Sequence, residues 1–170
     1  MHLISMLNDT PPEHTHFRDG IIRVLKPILD IPLYESNRPR FTVVVNNTYG
    51  TLVDAMAIRL SDVEAKILAD YGAFSVNSIA SPAAAVPVTM AGFPGIQRVA
   101  IPEVCRNADI VSVSGENFSL SEPSAKGFSG GPVYAGQQLL GVNTGDTGND
   151  KAMTSALAAR LDVLKPIFFA

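Results

Sequence analysis

Cysteine occurs once in the 170 residues, at Cys105, so no intrachain disulfide can form. That scarcity fits a reducing compartment, and with neither a signal peptide nor a transmembrane segment read in the sequence the expected location is cytoplasmic. Cys105 has neither a glycine-rich turn nor a nearby histidine, the surroundings an activated thiolate needs, and is expected to serve packing. Charge is also sparse, at 17% of residues with a net of −3, which removes the reason to look for a nucleic-acid partner. No apolar run approaches the ~18–20 residues that span a bilayer, so no membrane partner is expected. The apolar run at 3–7 is too short for a signal-peptide core and has no basic lead. Neither Gly-x-x-x-x-Gly-Lys-Ser/Thr nor Gly-x-Gly-x-x-Gly occurs, which excludes the common phosphate-cradling loops. Internal repeats and low-complexity tracts are missing as well.

What is present is apolar sequence in short runs. At 46% hydrophobic, a chain of this length can bury a real core, as one domain or as two small fused barrels. Twelve prolines and thirteen glycines separate the runs, which is the punctuation of many strands. Residues 1–20 are the least legible, with 10–20 reading as loop to a stop at Gly20, followed by 21–25 as a strand ending by Pro27 and 28–40 as an irregular connection. Residues 41–45 are a strand by β-branched content, followed by a turn at 46–50. The mostly apolar strand at 51–60 is interrupted by one acid, Asp54, and a carboxylate entering such a strand needs a hydrogen-bond partner. Ser61 and Glu64 form a capping-box pattern, and Val63, Ile67 and Leu68 have helical spacing before a stop at Gly72. Strands are expected at 85–90, 109–115 and 117–120, with a Gly-Phe-Pro-Gly turn at 92–95. Residues 144–151 read as a Gly/Asp/Asn loop and 151–156 as a last strand. Residues 158–165, with Leu161 and Leu164 on one face and Pro166 as stop, read as a C-terminal helix.

The chemistry concentrates in Gly127-Phe128-Ser129-Gly130-Gly131-Pro132-Val133 and in Leu139-Leu140-Gly141-Val142-Asn143-Thr144-Gly145. A serine with glycines two before, one after and two after sits where backbone comes very close to something, since glycine tolerates φ > 0 and has no Cβ. Two amide N–H groups turned to the same side of such a loop form a pocket for a negative oxygen. Pro132 ends the turn, Val133 and Tyr134 lead into a strand, and Gly136-Gln137 turns it back as a hairpin.

These residues resemble the chymotrypsin/trypsin-like serine proteases, whose nucleophile motif is Gly-x-Ser-Gly-Gly-Pro. The tail Gly141-Val142-Asn143-Thr144 is similar to the compact, disulfide-free branch that holds the high-temperature-requirement proteases and related bacterial and viral enzymes. The resemblance implies an all-β fold, a trypsin-like double β-barrel with a C-terminal helix, acting on a peptide or protein substrate without cofactor or metal. It implies Ser129 as nucleophile and the backbone N–H groups of Gly127 and Ser129 as the oxyanion hole. The triad acid of such enzymes opens a strand close to Asp-x-Ala-x-x-x-Leu, which Asp54-Ala55-Met56-Ala57-Ile58-Arg59-Leu60 matches. Pro123 and Ser124 would lie near the base of the S1 pocket, and Asn143, Thr144 and Gly145 along the edge where substrate adds as a strand. No acid stands where it would select Arg or Lys, so the expected P1 residue is small and polar or medium and apolar. Phe128 stands where many activated trypsin-type enzymes keep an acid, which argues against activation by a buried new N-terminus.

The base is the weak point of the resemblance. His2, His14 and His16 all precede Asp54, the right chain order, and none has the small-residue context of the family. His2 comes nearest, through the apolar Leu3-Ile4 directly after it, and all three stay open as the base. At ~5–6 residues per strand plus turns, about half of a first barrel fits before Asp54. The expected division is a reduced first barrel over 1–80, a second barrel over 81–153, and a helix and tail over 154–170. Either the first barrel is reduced or the chain is a shortened version of a longer protease, whose exposed sheet edge invites self-association. The alternative function is a catalytically inactive, protease-like peptide-binding domain without a working histidine.

Overall fold

A computed structural model of the chain describes residues 2–7, 15–18, 21–45, 52–69, 73–92, 104–149 and 152–168. They are mostly β and divide into two units, the first within 1–42 and 58–73, the second within 43–57, 74–94 and 103–170. Among the described residues no helix is long and apolar enough to cross a membrane.

In the first unit, β1 (His2–Leu7), β2 (Thr15–Arg18) and β3 (Ile21–Asp30) form an antiparallel sheet in the order β1-β3-β2. His2 and His16 are therefore on strands rather than in a loop, while His14 lies outside the described residues. The β3 strand runs through Pro27 instead of stopping there. In the described register β2 accompanies β3 only as far as Val24, so Pro27 is paired on the β1 side alone, beside a bulge between Leu3 and Ile4. A proline that lacks one ladder donor is tolerated at such a place.

Part of the connection expected at 28–40 is a tight hairpin, β4 (Tyr34–Glu35) with β5 (Arg38–Pro39). Its turn residues Ser36 and Asn37 both have positive φ, 49° and 62°, as a type I′ turn requires. Arg40 then fastens the segment. Its N–H donates to the Leu33 carbonyl (2.8 Å), and its guanidinium donates to both Glu64 carboxylate oxygens and to the Arg59 carbonyl (2.9 Å). The short helix α1 (Asp62–Leu68) starts on the capping box read from the sequence. Ser61 Oγ accepts from the Glu64 N–H, and the Glu64 carboxylate accepts from the Ser61 N–H at 2.7 Å. Hydrogen bonds from Arg40 and then from the Ser61 N–H hold the Glu64 carboxyl at about 2, below its ordinary 4.5. The stop expected at Gly72 lies outside the described residues.

Strands β6 (Phe41–Val45) and β7 (Leu52–Ile58) pair as a two-stranded ribbon, of which residues 43–57 belong to the second unit. Six strands, β8 (Pro87–Gly92), β9 (Val104–Ser114), β10 (Asn117–Leu120), β11 (Pro132–Ala135), β12 (Gln138–Asn149) and β13 (Ala152–Arg160), close into one antiparallel barrel, ordered β10-β13-β12-β11-β8-β9. Its core is built from alternate inward strand residues, among them Met90, Ile110, Phe118, Leu120, Val133 and Leu140, together with Phe128 from the loop before β11. Each such side chain contributes roughly 1.5–3 kcal/mol by leaving water. A smaller cluster of Ile79, Leu161 and Leu164 takes in Val44 and Ala55 of the ribbon. The turn expected at 92–95 falls largely outside the described residues.

Three expectations need correction in this unit. The loop at 144–151 is strand as far as Asn149, because β12 stays paired with β13 past two register shifts, at Asn143/Gly145 and Thr147/Gly148. The helix at 158–165 begins later. Strand β13 runs to Arg160, a single 3₁₀ turn covers Asp162–Leu164, and α2 (Lys165–Phe168) carries Pro166 in its first turn. Alanine favours helix, but Ala156, Ala158 and Ala159 are fully buried in β13, where β10 and β12 supply backbone partners on both sides. Cys105 does not serve packing. Along β9 the buried positions are Ala108 and Ile110, and Cys105 has the opposite parity, exposed with its Sγ 3.9 Å from the Tyr134 hydroxyl.

Candidate functional site

The serine loop is two consecutive turns that share Phe128. The Phe128 N–H donates to the Ala125 carbonyl (3.0 Å) and the Gly131 N–H to the Phe128 carbonyl (2.8 Å). In each turn the third residue is a glycine with positive φ, Gly127 at 101° and Gly130 at 83°, preceded by a residue of negative φ. Both are type II turns, and both need glycine at that place. Phe128 is the fixed point between them. It is fully buried, its ring packs where a Cβ on Gly92 would come within 2.7 Å, and the Arg106 guanidinium lies 5.4 Å from the ring centroid. Ser129 follows at once and is exposed. A buried anchor beside an exposed hydroxyl is what a presented nucleophile needs.

The loop is also held from behind. The Gly130 N–H donates to the Asn143 carbonyl (2.8 Å), and the Asn143 N–H donates to the Gly131 carbonyl (2.9 Å). Gly131 lies so close to β8 that a Cβ there would sit 2.0 Å from the Ala91 carbonyl oxygen. The amides of Phe128, Gly130 and Gly131 are therefore all engaged. Those of Gly127 and Ser129 make no hydrogen bond among the described residues. Two free donors, two residues apart beside a serine hydroxyl, are the chemical means of binding an oxyanion.

The residues named for the substrate edge divide into support and surface. Asn143 is 1% exposed, its backbone is committed to the loop, its Nδ2 reaches the Met90 sulfur at 3.5 Å, and its buried Oδ1 has no partner among the described residues. Thr144 donates its hydroxyl to the Leu157 carbonyl (3.1 Å), and Gly145 sits at the register shift. Ser124 is buried, and its N–H donates to the Asp146 carboxylate at 2.5 Å. Asp146 was not foreseen from the sequence, where it looked like part of a polar loop. Arg106 was missed too. Besides covering Phe128 it donates to the Pro123 carbonyl (3.2 Å), and nothing in its local sequence signals either contact.

Asp54 is on β7 and exposed, with Val53 and Ala55 turned to the other face. Among the described residues its carboxylate has no hydrogen-bond or ion-pair partner. The second unit, which carries Ser129 and Asp54, contains no histidine, since His2, His14 and His16 all precede residue 43. No group of three or more His, Cys, Asp or Glu side chains could hold a metal ion among the described residues.

No family model matches the chain, and no curated protein matches it. Among solved structures the chain is similar to the MamO protease domain from Magnetospirillum magneticum in its apo form, at 14% identity and a TM-score of 0.45. The likeness covers 55% of this chain and 53% of that one, so the chain spans about half the length of that domain.

Proposed function

We propose that the chain is a serine endopeptidase of the trypsin-like kind, cleaving peptide bonds through an acyl-enzyme on Ser129. The observation that carries this reading is the double turn, which exposes Ser129 beside the unengaged amides of Gly127 and Ser129 itself. In the reaction a histidine takes the Ser129 Oγ proton as the oxygen attacks the scissile carbonyl, and returns it to the leaving amine. The developing oxyanion is met by the two amides, each donor contributing about 2.7–4 kcal/mol to the transition state. Asp54 would orient the histidine, for which His2 is the first choice and His14 and His16 the others. The reading includes the double-barrel fold, with 1–80 as a reduced first barrel, 81–153 as the second, and 154–170 as the tail. Substrate would lie along Asn143, Thr144 and Gly145, with Ser124 near the P1 side chain.

A second reading has its own support. Because the serine unit holds no histidine and Asp54 has no partner among the described residues, the chain could retain the loop as a peptide-binding device without turnover. Labelling with a fluorophosphonate probe separates the two. The protease reading expects labelling that is lost in Ser129→Ala and in one of His2→Ala, His14→Ala or His16→Ala, and that rises with pH through about 6.5–7. Absence of labelling in the unmodified chain sinks the protease reading in favour of the inert scaffold.

A further inference from the structure

We infer that the first unit carries a separate binding site, a cleft that takes an organic anion by its carboxylate or phosphate group through Arg38 and Arg59. The cleft has a volume of about 800 Å³. That is within the ~300–1,000 Å³ range of small-molecule sites. It lies where the β4–β5 hairpin meets the segment entering α1, so all of it belongs to the first unit. Ser129 belongs to the second, and failure of either reading leaves the other standing.

Three arginines line this cleft against one acidic residue, Glu35, in a chain whose net charge is −3. Arg40 is already committed, since it donates to both oxygens of Glu64 and to the Arg59 carbonyl. Glu64 is in turn tied to the Ser61 N–H and hydroxyl, at 2.7 and 2.8 Å. The Glu64 charge is thus used by Arg40, and the lock it forms fixes the backbone around the cleft. Arg38 and Arg59 have no hydrogen bond or ion pair from their side chains among the described residues. Guanidinium forks left hydrated at one cleft are matched in shape and charge by a carboxylate or a phosphate, which each can hold by two parallel N–H···O bonds. The rest of the lining includes Pro39, Phe41 and Leu60, and Phe41 is held edge-on against Tyr34 with ring centroids 5.8 Å apart. An anion with a small apolar body fits that combination better than a bare ion.

The test is a titration of the whole chain with benzoate, phenyl phosphate, inorganic phosphate and neutral benzamide, read by amide chemical shifts and calorimetry. Benzoate or phenyl phosphate is expected to shift the amides of residues 38–42 and 59–61, and the tighter of the two tells carboxylate from phosphate. Inorganic phosphate should bind more weakly than phenyl phosphate, and benzamide should not bind. The Arg38→Gln/Arg59→Gln double variant should lose affinity by about tenfold or more. Arg38→Lys/Arg59→Lys, which keeps charge and loses the fork, should fall between. The inference is overturned if no probe shifts these amides at ~10 mM, if benzamide binds as well as benzoate, or if the lysine variant binds as well as the unmodified chain.

Discussion

A Cβ on Gly131 would lie 2.0 Å from the Ala91 carbonyl oxygen, whereas one on Gly130 would meet nothing within 4 Å. The two glycines are adjacent in the motif and answer to different constraints, close approach in one and a φ of 83° in the other. Gly131→Ala forces backbone apart and should cost about 3 kcal/mol. Gly130→Ala pays only for the left-handed conformation, about 1–2 kcal/mol. Urea unfolding of the two variants measures the difference, and equal losses would mean that Gly131 does not hold the loop against β8. At this scale the glycines were readable because no other residue meets either demand. Asn143 was not. What it supplies to the serine loop is its own backbone N–H and carbonyl, which leave no mark on residue type.

Among the elements, α1 was legible to the atom because a capping box is a local code, written in Ser61 and Glu64 alone. The Arg40 pairing, and after it that box, also predicts a pH response at Glu64. Glu64 has its folded value lowered to about 2 from an ordinary 4.5. The stability it contributes is therefore present above about 4.5 and is lost as pH falls toward 2. Thermal unfolding of the first unit between pH 5 and pH 2 should show a drop in midpoint that is smaller in Glu64→Gln, and identical profiles would refute the assignment. The elements misread from sequence are those whose backbone partners are distant. Pro27 looked like a stop because one-sided pairing is invisible in sequence. The glycines at 145 and 148 looked like loop because a bulge in a long hairpin has the same composition. Residues 158–160 looked like the start of the C-terminal helix because Leu161 and Leu164 have helical spacing, while their barrel partners on β10 and β12 are distant in sequence.

Across the molecule, a mostly β fold was legible from short apolar runs and their punctuation, while which strands meet was not. The barrel and the β6–β7 ribbon differ in how they are held. The barrel strands have neighbours on both sides, while the ribbon has two strands and exposes Val43, Val45, Leu52 and Met56. Hydrogen exchange should find the amides of Phe118, Leu140 and Ala158 the slowest and those of the ribbon markedly faster. Exchange of the ribbon together with the barrel core would show that they open as one cooperative unit.

The position of β13 has a consequence for how the protein is made. It lies between β10 and β12 and is the last barrel strand in the sequence, so closure cannot occur before residues 152–160 have left the ribosome. Until then β10, made about thirty residues earlier, keeps an open edge, whereas β12 ends at Asn149 and is followed almost at once by its partner. The barrel is therefore completed only after its other five strands have emerged, so a chain halted before residue 152 would leave the edge of β10 exposed.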